Sequence, residues 1–187
     1  MLEIIITISS FVIWFIYAVL AFNIAYILFF TLCSLFYRPF RKKECSPTSS
    51  FLILLPAYNE DSVIIDSVTS AFNQNYPKEL FDVAVISDHM CKETDEKIVS
   101  AGAICINATY TDSSKAKALQ LAMEYFKNST HNYVVILDAD NRVSTDFLLK
   151  LNTFCKYSSP IAVQCHRTSS KSHSEVQQLD SISEEIN

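Results

Sequence analysis

From Ile4 to Phe36 the chain runs without one charged side chain, and any fold must accommodate that run first. As an α-helix it would extend about 50 Å, against roughly 30 Å of bilayer hydrocarbon. It is too long for the apolar core of a signal peptide, and neither a preceding basic residue nor a small-residue cleavage site supports that reading. Only Asn23 interrupts its middle, with no turn chemistry around it. One tilted or overhanging transmembrane helix, residues 1–37, is therefore expected rather than two short spans. Arg38, Arg41, Lys42 and Lys43 follow the run and no Lys or Arg precedes it. The positive-inside rule then puts everything after residue 38 in the cytoplasm.

Residues 38–50, with Pro39, Pro47 and the polar Ser46–Ser50, read as a juxtamembrane linker. Beyond it, strand-like runs at 51–55, 82–87, 103–106, 133–137 and 161–165 alternate with helical stretches at 61–74, 92–100, 115–127 and 145–156. A last helix starts near Ser174. This alternation predicts an α/β fold, a doubly wound and mostly parallel sheet over 51–187. Nearly continuous apolarity within the strands agrees, since such a sheet is covered on both faces. The final helix lines up Val176, Leu179, Ile182 and Ile186, and no capping signal precedes Asn187. An incomplete domain is the expectation, with fraying of a complete one as the alternative.

Composition narrows the function. Residues 45–187 carry 11 Lys and Arg against 18 Asp and Glu, a net of −7. No basic stripe is present, so nucleic acid is excluded as a partner. An anionic substrate would need a bound cation. The six cysteines lack C-x-x-C or zinc spacing and read as free thiols. Gly102 is the only glycine, which argues against any nucleotide cradle built on glycine backbone.

Ligands of open parallel sheets bind beyond the carboxyl ends of the strands. Those ends carry "PAYNED" after the first strand, "SDHM" after the second and "DADN" after the fourth. The third is followed by "TDSSKAKAL", with Lys115 opening a helix. Each piece has an ordinary alternative: Asp61 or Ser62 as a helix cap, Tyr58 as packing, Asp88 as a turn former, Lys115 as a solvated residue. The four histidines, without ligand spacing, read as structural or exposed. Asp138 and Asp140 are more informative. On a strand, residues i and i+2 share a face, so two carboxylates would meet with no Lys or Arg between them in sequence. One ligand accounts for the whole edge: a nucleoside diphosphate with a divalent metal. Tyr58 would face the base and Asp88 would accept from a ring N–H. Lys115 would stand beside the diphosphate, with Asp138 and Asp140 holding Mg²⁺ or Mn²⁺.

In order and spacing, "PAYNE", "SDHM…ETDEK", "SKAKAL" and "LDADN" resemble the family 2 glycosyltransferases of the GT-A fold. The resemblance covers about residues 50–187 and is closest to membrane-anchored, cellulose-synthase-like bacterial members. It implies that Ala57, Tyr58 and Glu60 contact the nucleoside of a UDP-type sugar donor, that Asp88 recognises the base and that Lys115 lies near the diphosphate. It makes Asp138 and Asp140 the D-x-D metal motif, with Asp140 the more direct ligand. Ser114 replaces the glycine usual in that lysine segment, and His89 follows Asp88 where an acid or amide is usual. The implied activity is metal-dependent, inverting transfer to a saccharide or lipid-linked acceptor, as in polysaccharide biosynthesis. No general base is found: Glu175, Glu184 and Glu185 are available, but nothing places them.

Two other classes compete. A haloacid-type phosphatase also uses D-x-D, but on its first core strand, whereas three strand-like runs precede it here. A non-catalytic, membrane-tethered nucleotide-binding remnant would keep the donor site without the transfer.

Overall fold

The computed structural model describes residues 2–36 and 43–165 in two units, divided between Arg41 and Lys42. The first is helix α1, Leu2–Ser34. Its large apolar side chains point out on every side, from Ile6 to Leu32, the pattern of a helix made for a lipid surround. Its polar side chains are folded back on its own carbonyls. Asn23 Nδ2 donates to Val19 O at 2.8 Å, Thr31 Oγ1 to Ile27 O at 2.8 Å, and Ser9 Oγ to Ile6 O at 2.8 Å. Asn23 thus carries no turn; its amide is satisfied within the helix, as hydrocarbon would require. By length and composition this one helix is able to cross a membrane, as expected.

The second unit is a doubly wound α/β layer structure, again as expected. Its elements are β1 (Phe51–Tyr58), α2 (Ile64–Phe72), a 3₁₀ turn (Lys78–Leu80), β2 (Phe81–Asp88), α3 (Lys92–Ser100), β3 (Ile104–Ala108), α4 (Lys115–Tyr125), β4 (Tyr133–Ile136) and α5 (Phe147–Ser158). The described strands form a four-stranded sheet in the order β3-β2-β1-β4, parallel throughout.

Alternation along the strands sorts the core into two layers. Phe51, Ile53, Leu55, Val83 and Val85 pack with Ile64, Val68 and Ala71 of α2, Ile98 of α3 and Leu148 of α5. Leu52, Leu54, Ala84, Ile86 and Ile106 face the other way, against Ala118 and Ala122 of α4. Both faces of β1 and β2 are buried over most of their length, which is why Phe51–Leu55 and Val83–Ile86 are apolar without interruption. Each fully buried Leu or Ile contributes about 1.5–3 kcal/mol.

The fifth expected strand does not form. Residues 161–165 have no ladder partner, and Ile161 lies fully exposed. Strand propensity is expressed only against a neighbour, and this run has none among the described residues. The helix expected from Ser174 lies outside the described residues, with Val176, Leu179, Ile182 and Ile186.

Residues 43–50 carry no regular element, yet Cys45, Ser46, Thr48 and Ser49 are fastened to α5. The Oδ1 of Asn152, a fully buried residue, accepts from Thr48 N at 3.3 Å, Ser49 N at 3.1 Å and Tyr76 Oη at 3.2 Å. Its Nδ2 donates to Ser46 O at 3.2 Å, so one amide organises this approach to β1.

Candidate active site

β1 lies between strands reached by opposite turns of the chain. β2 and β3 extend the sheet to one side, and β4 returns on the other. A crevice opens at such a switch point. Pro56 widens it. Leu54 O accepts from Leu137 N at 3.0 Å, and backbone groups two residues apart on a strand face the same neighbour. Pro56 therefore faces β4's side, but the β1–β4 pairing stops at Leu54 and Ile136. Proline's missing N–H costs no ladder bond there.

All seven residues singled out from the sequence line one cavity at this crevice: Ala57, Tyr58, Glu60, Asp88, Lys115, Asp138 and Asp140. Its volume is about 500 Å³, and Pro56, Ser113 and Ser114 are among its other walls. They arrive from four separate segments.

Tyr58 and Asp88 are ladder partners at the last register of β1 and β2. The residues after them, Asn59 (φ 53°) and His89 (φ 57°), both adopt the left-handed conformation, which Asn and His tolerate better than most residues. Asn59 N donates to Asp88 O at 3.2 Å, fixing the two strand ends to each other. Asp88 is only 3% exposed, and its Oδ1 lies 2.6 Å from His89 Nδ1. The His89 ring is 5.4 Å from that of Tyr58, tilted by 58°. His89 is exposed, as expected, and is in addition joined to both Asp88 and Tyr58.

Asp61 does not cap α2. That helix begins after Val63 without a side-chain cap, and Asp61 Oδ1 instead accepts from Cys91 N at 2.8 Å. The Thr94 hydroxyl and the Cys91 N–H hold the Asp61 carboxyl below its ordinary range. The β1–α2 and β2–α3 loops are thereby tied to each other.

Lys115 is the first residue of α4, and Ser114 is its N-cap, its Oγ accepting from Lys117 N at 3.3 Å. Serine here supplies a cap that glycine would lack. Ser113 Oγ is buried on the cavity wall without a hydrogen-bond partner in the protein. A polar atom left so, beside the start of a helix, suits an anionic ligand.

The acidic pair departs from expectation in two ways. β4 ends at Ile136, so Asp138 and Asp140 lie on a turn, closed by Asn141 N donating to Asp138 O at 3.0 Å. Both still reach the same cavity, by turn geometry and not by strand alternation. Nor does Asp138 lack a cationic partner: Lys115, 23 positions away in sequence, forms an ion pair with it. Sequence distance concealed a neighbour that the fold supplies.

Sequence reasoning missed what holds this turn. Ser67 Oγ donates to Ala139 O at 2.7 Å. Val143 N donates to Ser70 Oγ at 3.3 Å. Gln74 Nε2 donates to Ser144 O at 3.0 Å, while its Oε1 accepts from Leu148 N at 3.1 Å. Arg142 adds an ion pair to Asp66. Polar residues at i, i+3 and i+7 beside the apolar face of α2 were the readable signal.

Among the described residues no group of three or more His, Cys, Asp or Glu gathers to hold a metal. Two carboxylates with open neighbouring space still fit a hard divalent cation that keeps several waters and is completed by substrate phosphates. Glu175, Glu184 and Glu185 lie outside the described residues.

Solved structures share this fold. The mannosyltransferase PcManGT from Pyrobaculum calidifontis, in complex with GDP-Man and Mn²⁺, superposes with a TM-score of 0.54 at 21% identity, over 71% of this chain and 40% of its own. TarS 1–349 of S. aureus does so at 0.51 and 21% identity, over 59% and 33%. The chain therefore spans well under half of the length of these structural neighbours. Among curated proteins there is no significant match. The model of one family, Glycosyl transferase family 2, matches residues 52–184. That match begins in β1, takes in every residue lining the crevice and covers most of the chain, which makes this protein a member of glycosyl transferase family 2.

Proposed function

We propose that this chain is the donor-binding part of a metal-dependent, inverting glycosyltransferase that takes a UDP-type sugar donor and serves a saccharide or lipid-linked acceptor. The observation that carries this reading is the convergence of seven polar and small residues from four segments on one cavity at the sheet's switch point. Tyr58 presents its ring to the base and Asp88 accepts from it. Ala57 leaves the backbone approachable and Glu60 borders the nucleoside. The start of α4 offers N–H groups and the positive end of its dipole to the diphosphate, and Lys115 adds a full charge. Asp138 and Asp140 would hold Mg²⁺ or Mn²⁺, which neutralises the departing diphosphate. Lys115 serves two anions in turn: Asp138 while the site is empty of donor, the phosphates once donor arrives. The Mn²⁺ and GDP-Man of the Pyrobaculum relative support a nucleotide sugar with a divalent cation.

In this proposal residues 1–37 anchor the protein as in cellulose-synthase-like members. Residues 38–50 join that anchor to the 51–187 domain on the cytoplasmic face. The general base for the acceptor hydroxyl is not assigned to any described residue. A donor-binding remnant without transfer is the second reading, and it shares every donor contact above.

Titration calorimetry of the detergent-solubilised chain tests the site. UDP should bind in the presence of Mn²⁺ or Mg²⁺ and lose at least tenfold in affinity with chelator or in Asp140→Ala. Metal-independent binding unchanged by that substitution overturns the reading. Hydrolysis or transfer of a UDP-sugar separates the enzyme from the remnant.

A further inference from the structure

We propose that His89 selects the base: by occupying one oxygen of Asp88 it makes the site accept uracil and disfavour guanine. The inference rests on the donor-site reading above and deepens it. Asp88 is buried to 3% exposure and lines the cavity, so its carboxylate has few possible partners. One is fixed, since Oδ1 lies 2.6 Å from His89 Nδ1. A carboxylate only accepts, so the ring nitrogen facing it carries the proton and donates. His89 is held in that position by its left-handed backbone (φ 57°) and by its ring's contact with Tyr58 at 5.4 Å.

Oδ2 keeps both of its lone pairs, whereas Oδ1 has one taken by His89 and its direction fixed. Uracil presents one ring N–H flanked by two carbonyl oxygens, so it needs one acceptor. A second free carboxylate oxygen would face one of those carbonyls and repel it. Guanine presents two adjacent donors, its ring N–H and its amino group, and is best met by both carboxylate oxygens together. With one Oδ1 lone pair committed to His89, a second N–H at that oxygen must share it, and guanine's second charge-assisted bond is weakened, a difference of about tenfold in affinity. His89 is therefore a positioning residue. It acts through Asp88 and need not touch the base.

The test compares UDP and GDP binding, with Mn²⁺, to the full chain in detergent. Two variants that both tolerate a left-handed backbone separate the donor's role from backbone strain. His89→Asn retains an N–H able to donate to Asp88, and His89→Gly does not. The expected result is a preference for UDP of at least tenfold in the natural chain, kept within threefold in His89→Asn and reduced at least fivefold in His89→Gly. Equal binding of UDP and GDP by the natural chain, or an unaltered preference in His89→Gly, overturns the inference while leaving the donor site standing. Binding of neither nucleotide, with circular dichroism showing a folded chain, overturns both.

Discussion

At the scale of single residues, the ion pair between Lys115 and Asp138 has the clearest consequence. Both side chains are partly exposed, 54% and 41%, and such a pair is worth about 0–1 kcal/mol. It is strong enough to keep a lone cation off Asp138 part of the time and weak enough for phosphate to displace. In the proposed site, metal and nucleotide should then bind with positive coupling. Lys115→Met should raise the affinity for Mn²⁺ alone by up to about fivefold and lower that for UDP. Calorimetry of each ligand with and without the other measures this. A Lys115→Met chain whose Mn²⁺ affinity falls would remove the competition argument. Tyr58, Asp88, Asp138 and Asp140 were legible because they sit just past apolar runs, where an open parallel sheet binds its ligand. The Lys115 pairing and the His89 contact were not. Both are set by side-chain approach, which spacing along the chain does not encode.

At the scale of elements, four of the five expected strands form, and their ends were not legible. β1 was expected to stop at Leu55, before Pro56, yet it runs to Tyr58 because proline falls where β4 has already ended. The run at 161–165 has strand composition and no strand neighbour, so composition alone misled. α5 was expected, but its buried Asn152 was not distinguished from a surface amide. Asn152→Ala removes the acceptor of Thr48 N and Ser49 N together, while Tyr76 Oη keeps Ser49 O at 2.7 Å. Some of these groups regain water at the surface, so a cost of about 2–3 kcal/mol is expected, or roughly 5–10 °C in unfolding temperature. Thermal unfolding followed by circular dichroism checks it. A shift below 2 °C would mean that residues 45–50 contribute little to the second unit's stability.

At the scale of the whole molecule, the two units ask for different solvents. α1 exposes apolar side chains all round, whereas the second unit buries its own in two layers. If α1 is the proposed anchor, the chain should stay in the membrane pellet through an alkaline carbonate wash. Externally added protease should leave the second unit intact in spheroplasts and digest it after lysis, because the basic residues all follow the helix. Digestion before lysis would reverse the assigned orientation. That a helix here can span a membrane was legible from the absence of charge alone.

The sheet order imposes a timetable on synthesis. β2, the partner on one edge of β1, begins only 23 residues after it ends, but the partner on the other edge, β4, begins 75 residues after it ends. At translation speeds of roughly 5–20 residues per second, that edge stays open for about 4–15 s. Through this interval the strand Phe51–Leu55 offers unpaired backbone and apolar side chains to any nascent neighbour. Polysomes making this protein are therefore expected to expose a transient adhesive strip, and a holding chaperone would find its target there.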